Sequence, residues 1–363
     1  MKKLIISLLI ICCGEYLSAQ NPPRWLRYPA LSPDGKTIAF VYKGDLYKVP
    51  ATGGTATQLT NSPAQDFMPV WSRNGRSIAF ASDRYGNFDI FLIQANGANE
   101  NQLTFHSADE YPYDFTEDDR QVVFGSVIMD AAGNRQFPSD AQPELYSVPV
   151  NGGRVLQLLT TPAEDAKVNS RYIIYHDKKN RENAWRKHQV SSAARDIWRY
   201  DRQTGAYEKL TDFAGEDRNP VFTGNGKTIC YLSEESGSFN VHRLQPGHPA
   251  HSEQLTTFKK HPVRFLSAAI NGTLCFGFNG DIYLLSPGAA PQEVNIRINP
   301  PTKENERRVL VKDNIKYSVM APSGKEAAFI FRGEVFTADM EHGAIRQMTH
   351  SPGEEADLSF SPD

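Results

Sequence analysis

One repeated unit constrains this chain more than any other feature. Pro69 to Thr104, PVWSRNGRSIAFASDRYGNFDIFLIQANGANENQLT, predicts four short strands in a row. PVWS is followed by the polar turn SRNG and SIAFAS. The turn DRYGN leads to FDIFLI, and the looser QANGANEN leads to a short strand at QLT. Two of these strands are rich in Ile, Phe and Ala, and Asn-Gly and Gly-Asn stand where tight hairpins need positive φ. A single sheet of this kind cannot bury both faces, so it requires copies of itself.

The copies are present. Ala30 to Thr60 reads ALSPDGKTIAF, GDLYKVP, QLT. Tyr113 to Thr160 reads YDFTEDDRQVVF, PELYSVP, QLLT. Phe222 to Thr256 reads FTGNGKTICYLS, FNVHRL, QLT. Two units are worn: Asn169 to Thr211 keeps SRYIIYHD, DIWRYD and KLT, and Ala268 to Ile298 keeps AAINGTLCFGF and GDIYLL. About six units with a period of roughly 40 to 50 residues predict an all-β, six-bladed propeller of four-stranded blades. Its first blade is expected to supply its own opening strand, Arg27 to Ser32, and its last blade its own outer strand, Glu293 to Ile298. The ring would then close without strand exchange.

Met1 to Ala19 has the form of a signal peptide: Lys2 and Lys3, an apolar core from Leu4 to Cys13, and the small-residue site Leu17-Ser18-Ala19. It predicts an exported, periplasmic or otherwise extracytoplasmic protein, with residues 20–298 forming the propeller. Downstream of it no apolar run is long enough to span a membrane. The remaining cysteines, Cys230 and Cys275, occupy the slot held by Ala39, Ala79 and Val123 in other units, on equivalent strands of neighbouring blades. Packed sheets stand about 10 Å apart and a disulfide needs Cα atoms within about 7 Å, so two buried free thiols are expected. A net charge of −3 gives no basic footprint for nucleic acid.

Residues 299–310, opening NPPTKENERR, read as a linker. The repeat then restarts within 311–363. Tyr317 to Thr349 carries YSVMAPSGKEAAF, GEVFTADM and RQMT, and DLSFSPD from Asp357 repeats the opening of a further unit. The expectation is the truncated start of a second propeller in a longer chain. With neighbouring blades missing, the unit after Tyr317 should be partly disordered or adhere to its neighbours.

The motif SPDGKTIAF…GDLYKVPATGG…QLT with SDRYGNFDIF resembles the TolB-type propeller repeat. The fourth unit, NRENAWRKHQVSSAARDIWRYDRQTGAYEKLTD, resembles the fourth blade of the tricorn protease family, as does the order of propeller, linker and second propeller from Arg24 to Asp363. The resemblance implies a large oligomeric serine peptidase acting on peptides. Its PDZ-like module and catalytic domain would lie beyond this chain, and the propeller would gate or guide peptides. The signal peptide departs from the intracellular archetype and points to peptide turnover in the envelope. The alternative is a TolB-like periplasmic scaffold that docks proteins and has no enzymatic activity. A third, weaker alternative is the propeller of a prolyl-oligopeptidase-type enzyme.

The residues themselves offer no nucleophile motif such as G-x-S-x-G, so no catalytic residue is assigned. Asp83, Arg84 and Asp89 in SDRYGNFD are expected to serve turns and caps. His248 and His251, with His242 and His261 nearby, could suggest zinc, but Pro249 disfavours a helical face and a hairpin loop is the better reading, so no metal or cofactor is expected. Two insertions that carry arginine stand between the second and third strands of their blades and should emerge on one face: Asp130 to Gln142 and Lys178 to His188. The resemblance implies arginines that hold a substrate's C-terminal carboxylate, and it points to Arg135, with Arg186 and Lys187 behind it, as substrate-binding positions. A guanidinium suits that task because it binds carboxylate bidentately. The competing reading is a solvated charge run with Trp185 packed beneath it.

Overall fold

The computed structural model describes residues 25–62, 64–129, 142–179, 188, 190–223, 226–247, 252–299, 315–343, 345–349 and 353–362. Among them the regular structure is β, in seven four-stranded antiparallel sheets, each with its strands in sequence order, and one two-stranded parallel pair. Six sheets fall between Arg27 and Glu293. Their first strands are Arg27–Leu31, Asp66–Trp71, Glu110–Phe115, Ala163–Val168, Asp217–Thr223 and Val263–Ala268. Each packs on the first strand of the next sheet, and the sixth packs on the first, so the ring closes.

The repeat explains why the sheets stack. The second strand of each carries an aromatic residue at one fixed position: Phe40, Phe80, Phe124, Tyr175, Tyr231, Phe276 and, in the seventh sheet, Phe329. Its cross-strand partner is another ring: Tyr47, Phe91, Tyr146, Trp198, His242, Tyr283 and Phe336. Phe80 and Phe91 lie 5.7 Å apart, and Phe276 and Tyr283 lie 6.0 Å apart. Such pairs add about 0.5–1.5 kcal/mol beyond the area they bury. The residue before the aromatic is smaller and faces the neighbouring sheet. Cys230 and Cys275 occupy that position and are free and buried, as expected from the sequence. Burial pushes the Cys230 thiol up to about 11 and the Cys275 thiol higher still, so both behave as apolar filler.

The first and sixth sheets each supply their own four strands, as expected, but the closure carries one further link. The outer strand of the sixth sheet is only Gln292–Glu293. The chain then crosses to the first sheet, where Ile296–Arg297 pairs in parallel with Gly54–Thr55. Gly54 N–H donates to Asn295 O at 2.9 Å, and Ala56 N–H donates to Arg297 O at 2.8 Å. Two features drive the crossing. Val294 and Ile296 are buried in the apolar cluster between the first and sixth sheets. Gly53 has φ +85°, and a Cβ there would stand 2.6 Å from Asn295 O, so only glycine admits the crossing segment. The ends of the ring are thus tied by backbone hydrogen bonds.

The seventh sheet, from Lys316 to Gln347, is complete in its four strands. It does adhere to a neighbour, through its contact with the first sheet. Its own first strand, Lys316–Met320, is mostly exposed. Among the described residues no helix is long and apolar enough to cross a membrane.

Candidate functional site

The first strands surround a central cavity of about 1050 Å³. Its wall is shaped by one irregularity repeated round the ring. In sheets 1, 2, 4, 5 and 6 the pairing register slips at the same point of the first strand. The residues there, Tyr28, Met68, Asp165, Asn219 and Phe265, all have φ between +49° and +57°. Holding a non-glycine residue there costs roughly 1–3 kcal/mol, which the surrounding sheet must sustain. A bulge of this kind re-aims side chains, and all five residues line the cavity. In sheet 3 the equivalent residue is Pro112, whose ring forbids positive φ. There the slip falls one residue later, between Pro112 and Asp114.

The residue just before the bulge varies in character: Arg27, Phe67, Tyr111, Glu164, Arg218 and Arg264. Between sheets 4 and 5 these positions carry a dense ionic network. Glu164 Oε2 lies 3.4 Å from Arg195 Nη2 and 3.3 Å from His176 Nε2, and Lys178 Nζ donates to Oε1 at 3.0 Å. Arg195 Nη1 donates to Glu216 Oε1 at 2.6 Å, and Arg218 stands 3.3 Å from the same oxygen. The backbone N–H of Asn219 donates to His176 Nδ1, which leaves Nε2 as the protonated nitrogen facing Glu164. Burial alone would raise the Glu164 pKa, but His176, Lys178 and Arg195 together hold it well below the usual carboxylate range. Burial, reinforced by the Arg218 guanidinium, lowers Arg264 to about 10. Burial likewise lowers Arg218 and Arg27. The cavity wall formed by sheets 5 and 6 thus carries two guanidinium groups, Arg218 and Arg264, at the end where the first strands begin.

That end is also the face on which the second-to-third-strand turns lie, because the start of each first strand pairs with the end of its second strand. The two insertions arise there. Arg135, Arg186 and Lys187 lie outside the described residues, as do Trp185, His248 and His251. The described ends of the second insertion are anchored to the network. Lys178 bonds Glu164, Lys179 Nζ bonds Asp196 Oδ2 at 2.6 Å, and His188 N–H donates to the Glu234 carboxylate at 3.0 Å.

The remaining sequence candidates have structural roles. Arg84 pairs with buried Asp66 at 3.2 Å and with Glu100, Asp83 accepts Gln65 N–H at 2.7 Å, and Asp89 accepts Gln102 Nε2 at 3.0 Å. His242 is buried against Tyr231, with Nδ1 2.8 Å from Ser252 Oγ. Among the described residues no group of three His, Cys, Asp or Glu side chains is placed to hold a metal ion. Sequence reasoning missed Glu164, His176, Arg195, Arg218 and Arg264. They belong to no local motif. Glu164, Arg218 and Arg264 emerge only as a column when the six first strands are aligned on their bulges, while His176, on a second strand, and Arg195, in the loop before Ile197, carry no such signal.

Two buried acids on the ring carry a pH dependence. Burial raises Glu110 to about 8 and Asp217 to about 7. A carboxyl whose folded pKa is raised keeps its full stability below the unfolded pKa and loses it as pH rises through the folded value. Urea midpoints are therefore expected to fall between about pH 4 and pH 8, by on the order of a few kcal/mol in free energy. Glu110→Gln should flatten that fall, and an unchanged slope would contradict the assignment.

The family described as "Tricorn protease N-terminal beta propeller domain" matches residues 23–290. A putative tricorn protease homolog 2 of Streptomyces coelicolor is 23% identical over 345 residues, covering 91% of this chain and 28% of its own length. Tricorn protease homolog 1 of the same organism is 23% identical over 340 residues, 91% of this chain and 30% of its own length. The chain thus spans less than a third of these curated relatives. Among solved structures, the tricorn protease superposes with a TM-score of 0.64 at 17% identity, covering 91% of this chain and 32% of the other. TolB from Acinetobacter baumannii superposes with a TM-score of 0.51 at 16% identity, covering 73% and 68%. At these identities the superpositions speak for the fold alone. The closed ring, its blade-like sheets and the match over residues 23–290 place this chain in the tricorn protease N-terminal β-propeller family.

Proposed function

We propose that this chain is the non-catalytic, peptide-handling N-terminal part of an exported tricorn-like serine peptidase. Its ring guides peptides to or from an active site that lies beyond residue 363 in a longer, oligomeric protein. The observation that carries the reading is the central cavity. It is bounded by first strands from six sheets, and Arg218 and Arg264 line its wall on the face where both insertions arise. A peptide in extended form presents carboxylates and backbone carbonyls, which suit guanidinium donors. In this reading residues 1–19 are the signal peptide, 20–298 the propeller, 299–310 a linker and 311–363 the opening of a second propeller. Arg135, Arg186 and Lys187 remain the substrate-binding positions that this reading would test.

The second reading, a TolB-like docking scaffold without peptidase activity, draws on the similarity to TolB. The seventh sheet favours the first reading, because it restarts the repeat after a single ring. Hydrolysis of a fluorogenic peptide mixture by the longer protein and by residues 20–363 separates them. Activity in the longer protein alone supports the peptidase reading. Activity in neither supports the scaffold, and activity in residues 20–363 overturns the non-catalytic assignment.

A further inference from the structure

The seventh sheet does not rest on the ring at random. It meets the first sheet turn to turn, and the two turns are copies of each other. Lys43-Gly44 joins the second and third strands of sheet 1, and Arg332-Gly333 does the same in sheet 7. Both basic residues are left-handed, at φ +50° and +51°, and both glycines follow at +82° and +79°. An acid comes next in each, Asp45 and Glu334, and both are buried.

The surroundings correspond as well, without a gap in the alignment of the two segments. Thr60 Oγ1 accepts Leu46 N–H at 2.9 Å, and Thr349 Oγ1 accepts Val335 N–H at 2.8 Å. Gly44 O accepts Asp66 N–H at 2.8 Å, and Gly333 O accepts Glu355 N–H at 2.9 Å.

The contacts between the turns are reciprocal. Arg332 Nη2 pairs with Asp45 Oδ1 at 2.9 Å, and Lys43 pairs with Glu334. The basic residue of each turn thus binds the acid of the other. This is the rule of a two-fold interface, in which residue i meets j and j meets i. Arg332 also donates to Ala64 O at 3.1 Å and lies directly over Gly44, where a Cβ would come within 2.9 Å of Nε. A third pair, Arg27 to Glu354 at 3.0 Å, ties the start of the ring's first strand to the same contact.

We propose that the Lys43-Gly44-Asp45 turn is a docking site for a basic-glycine-acidic hairpin, filled by Arg332-Gly333-Glu334 of the same chain, and that this joint fixes the seventh sheet on the insertion-bearing face of the ring. Buried ion pairs of this kind specify geometry more than they add stability, and removing one partner leaves the other charge stranded. The joint therefore sets one orientation for the seventh sheet and rejects others. The exposed first strand of the seventh sheet, with Tyr317 and Met320 outward, is held at a fixed place relative to the cavity mouth. This inference rests on the turn geometry alone and stands apart from the peptidase reading.

Amide hydrogen exchange on the whole chain tests it, with strands 77–94 of the second sheet as internal reference. Arg332→Glu sets like charges against Asp45 and Glu334. Exchange across residues 326–339 is expected to accelerate at least about tenfold, while the reference strands keep their rates. Two independent charge swaps test the pairs separately: Asp45→Arg should restore most of the protection lost in Arg332→Glu, and Glu334→Lys should restore most of that lost in Lys43→Glu. Because the swaps alter different pairs, a local failure of one leaves the other informative. The joint is refuted if Arg332→Glu leaves exchange within about twofold of the parent, or if neither swap recovers protection.

Discussion

Arg195→Met is expected to lower the free energy of unfolding by about 3 kcal/mol, read from urea denaturation at pH 7. Arg195 is 4% exposed and Glu216 only 1%, so their 2.6 Å pair is screened from water. Methionine removes the cation but not the carboxylates it serves. Glu216 keeps Arg218 at 3.3 Å, and Glu164 keeps His176 and Lys178, which limits the loss. Glu164, held low partly by Arg195, should at the same time rise toward the normal carboxylate range. The double variant Arg195→Met with Glu216→Gln should cost less than the sum of the two single changes, since the 2.6 Å pair they share is lost only once. A single variant with unchanged stability would show that the network carries no net energy.

Phe124→Ala should cost about 3–5 kcal/mol. Phe124 is fully buried and stacks on Tyr146 at 5.7 Å. It belongs to a cluster that also includes Ala79 and Ile90 of the second sheet, so the cavity left behind loosens two sheets at once. Collapse of the site is restricted. The next residue is Gly125, where a Cβ would stand 2.5 Å from the Tyr113 ring, so that ring already fills the space beside the strand. By contrast Tyr85→Ala, at a residue 71% exposed, should change stability by less than about 0.5 kcal/mol. Equal effects at the two positions would contradict the repeated aromatic pair as the unit of cohesion.

The fold was legible because it is periodic. The buried apolar runs in SIAFAS and TIAFVY, the aromatic at a constant position and the glycine turns recur often enough that each copy supports the others. The same periodicity located Cys230 and Cys275 in an apolar slot. The closure was not legible, because Ile296–Arg297 pairs over only two residues and Gly53 gives no sign of what approaches it. The cavity wall was hidden for a related reason. Glu164 and Arg218 come from the first strands of two sheets and Arg195 from a loop, and their meeting depends on a bulge whose left-handed residue differs in each of the five sheets that have one. Nothing in the local sequence of Tyr28, Met68 or Asp165 announces positive φ. The reciprocal turns at Lys43 and Arg332 could be read as equivalent hairpins, but not that they would face each other.

The claim that peptides are handled through the ring is tested most directly by narrowing the cavity in the longer protein. Met68 and Ala268 line it on different sheets, and Met68→Trp and Ala268→Trp each add an indole to the wall. Hydrolysis of peptides several residues long and of a single-residue chromogenic amide would be compared, with fold checked by denaturation. The account predicts that kcat/KM for the longer peptides falls at least about tenfold while the small amide is cleaved as before. Equal rates on both substrates in correctly folded variants would contradict it, and would remove the cavity from the path of the peptide.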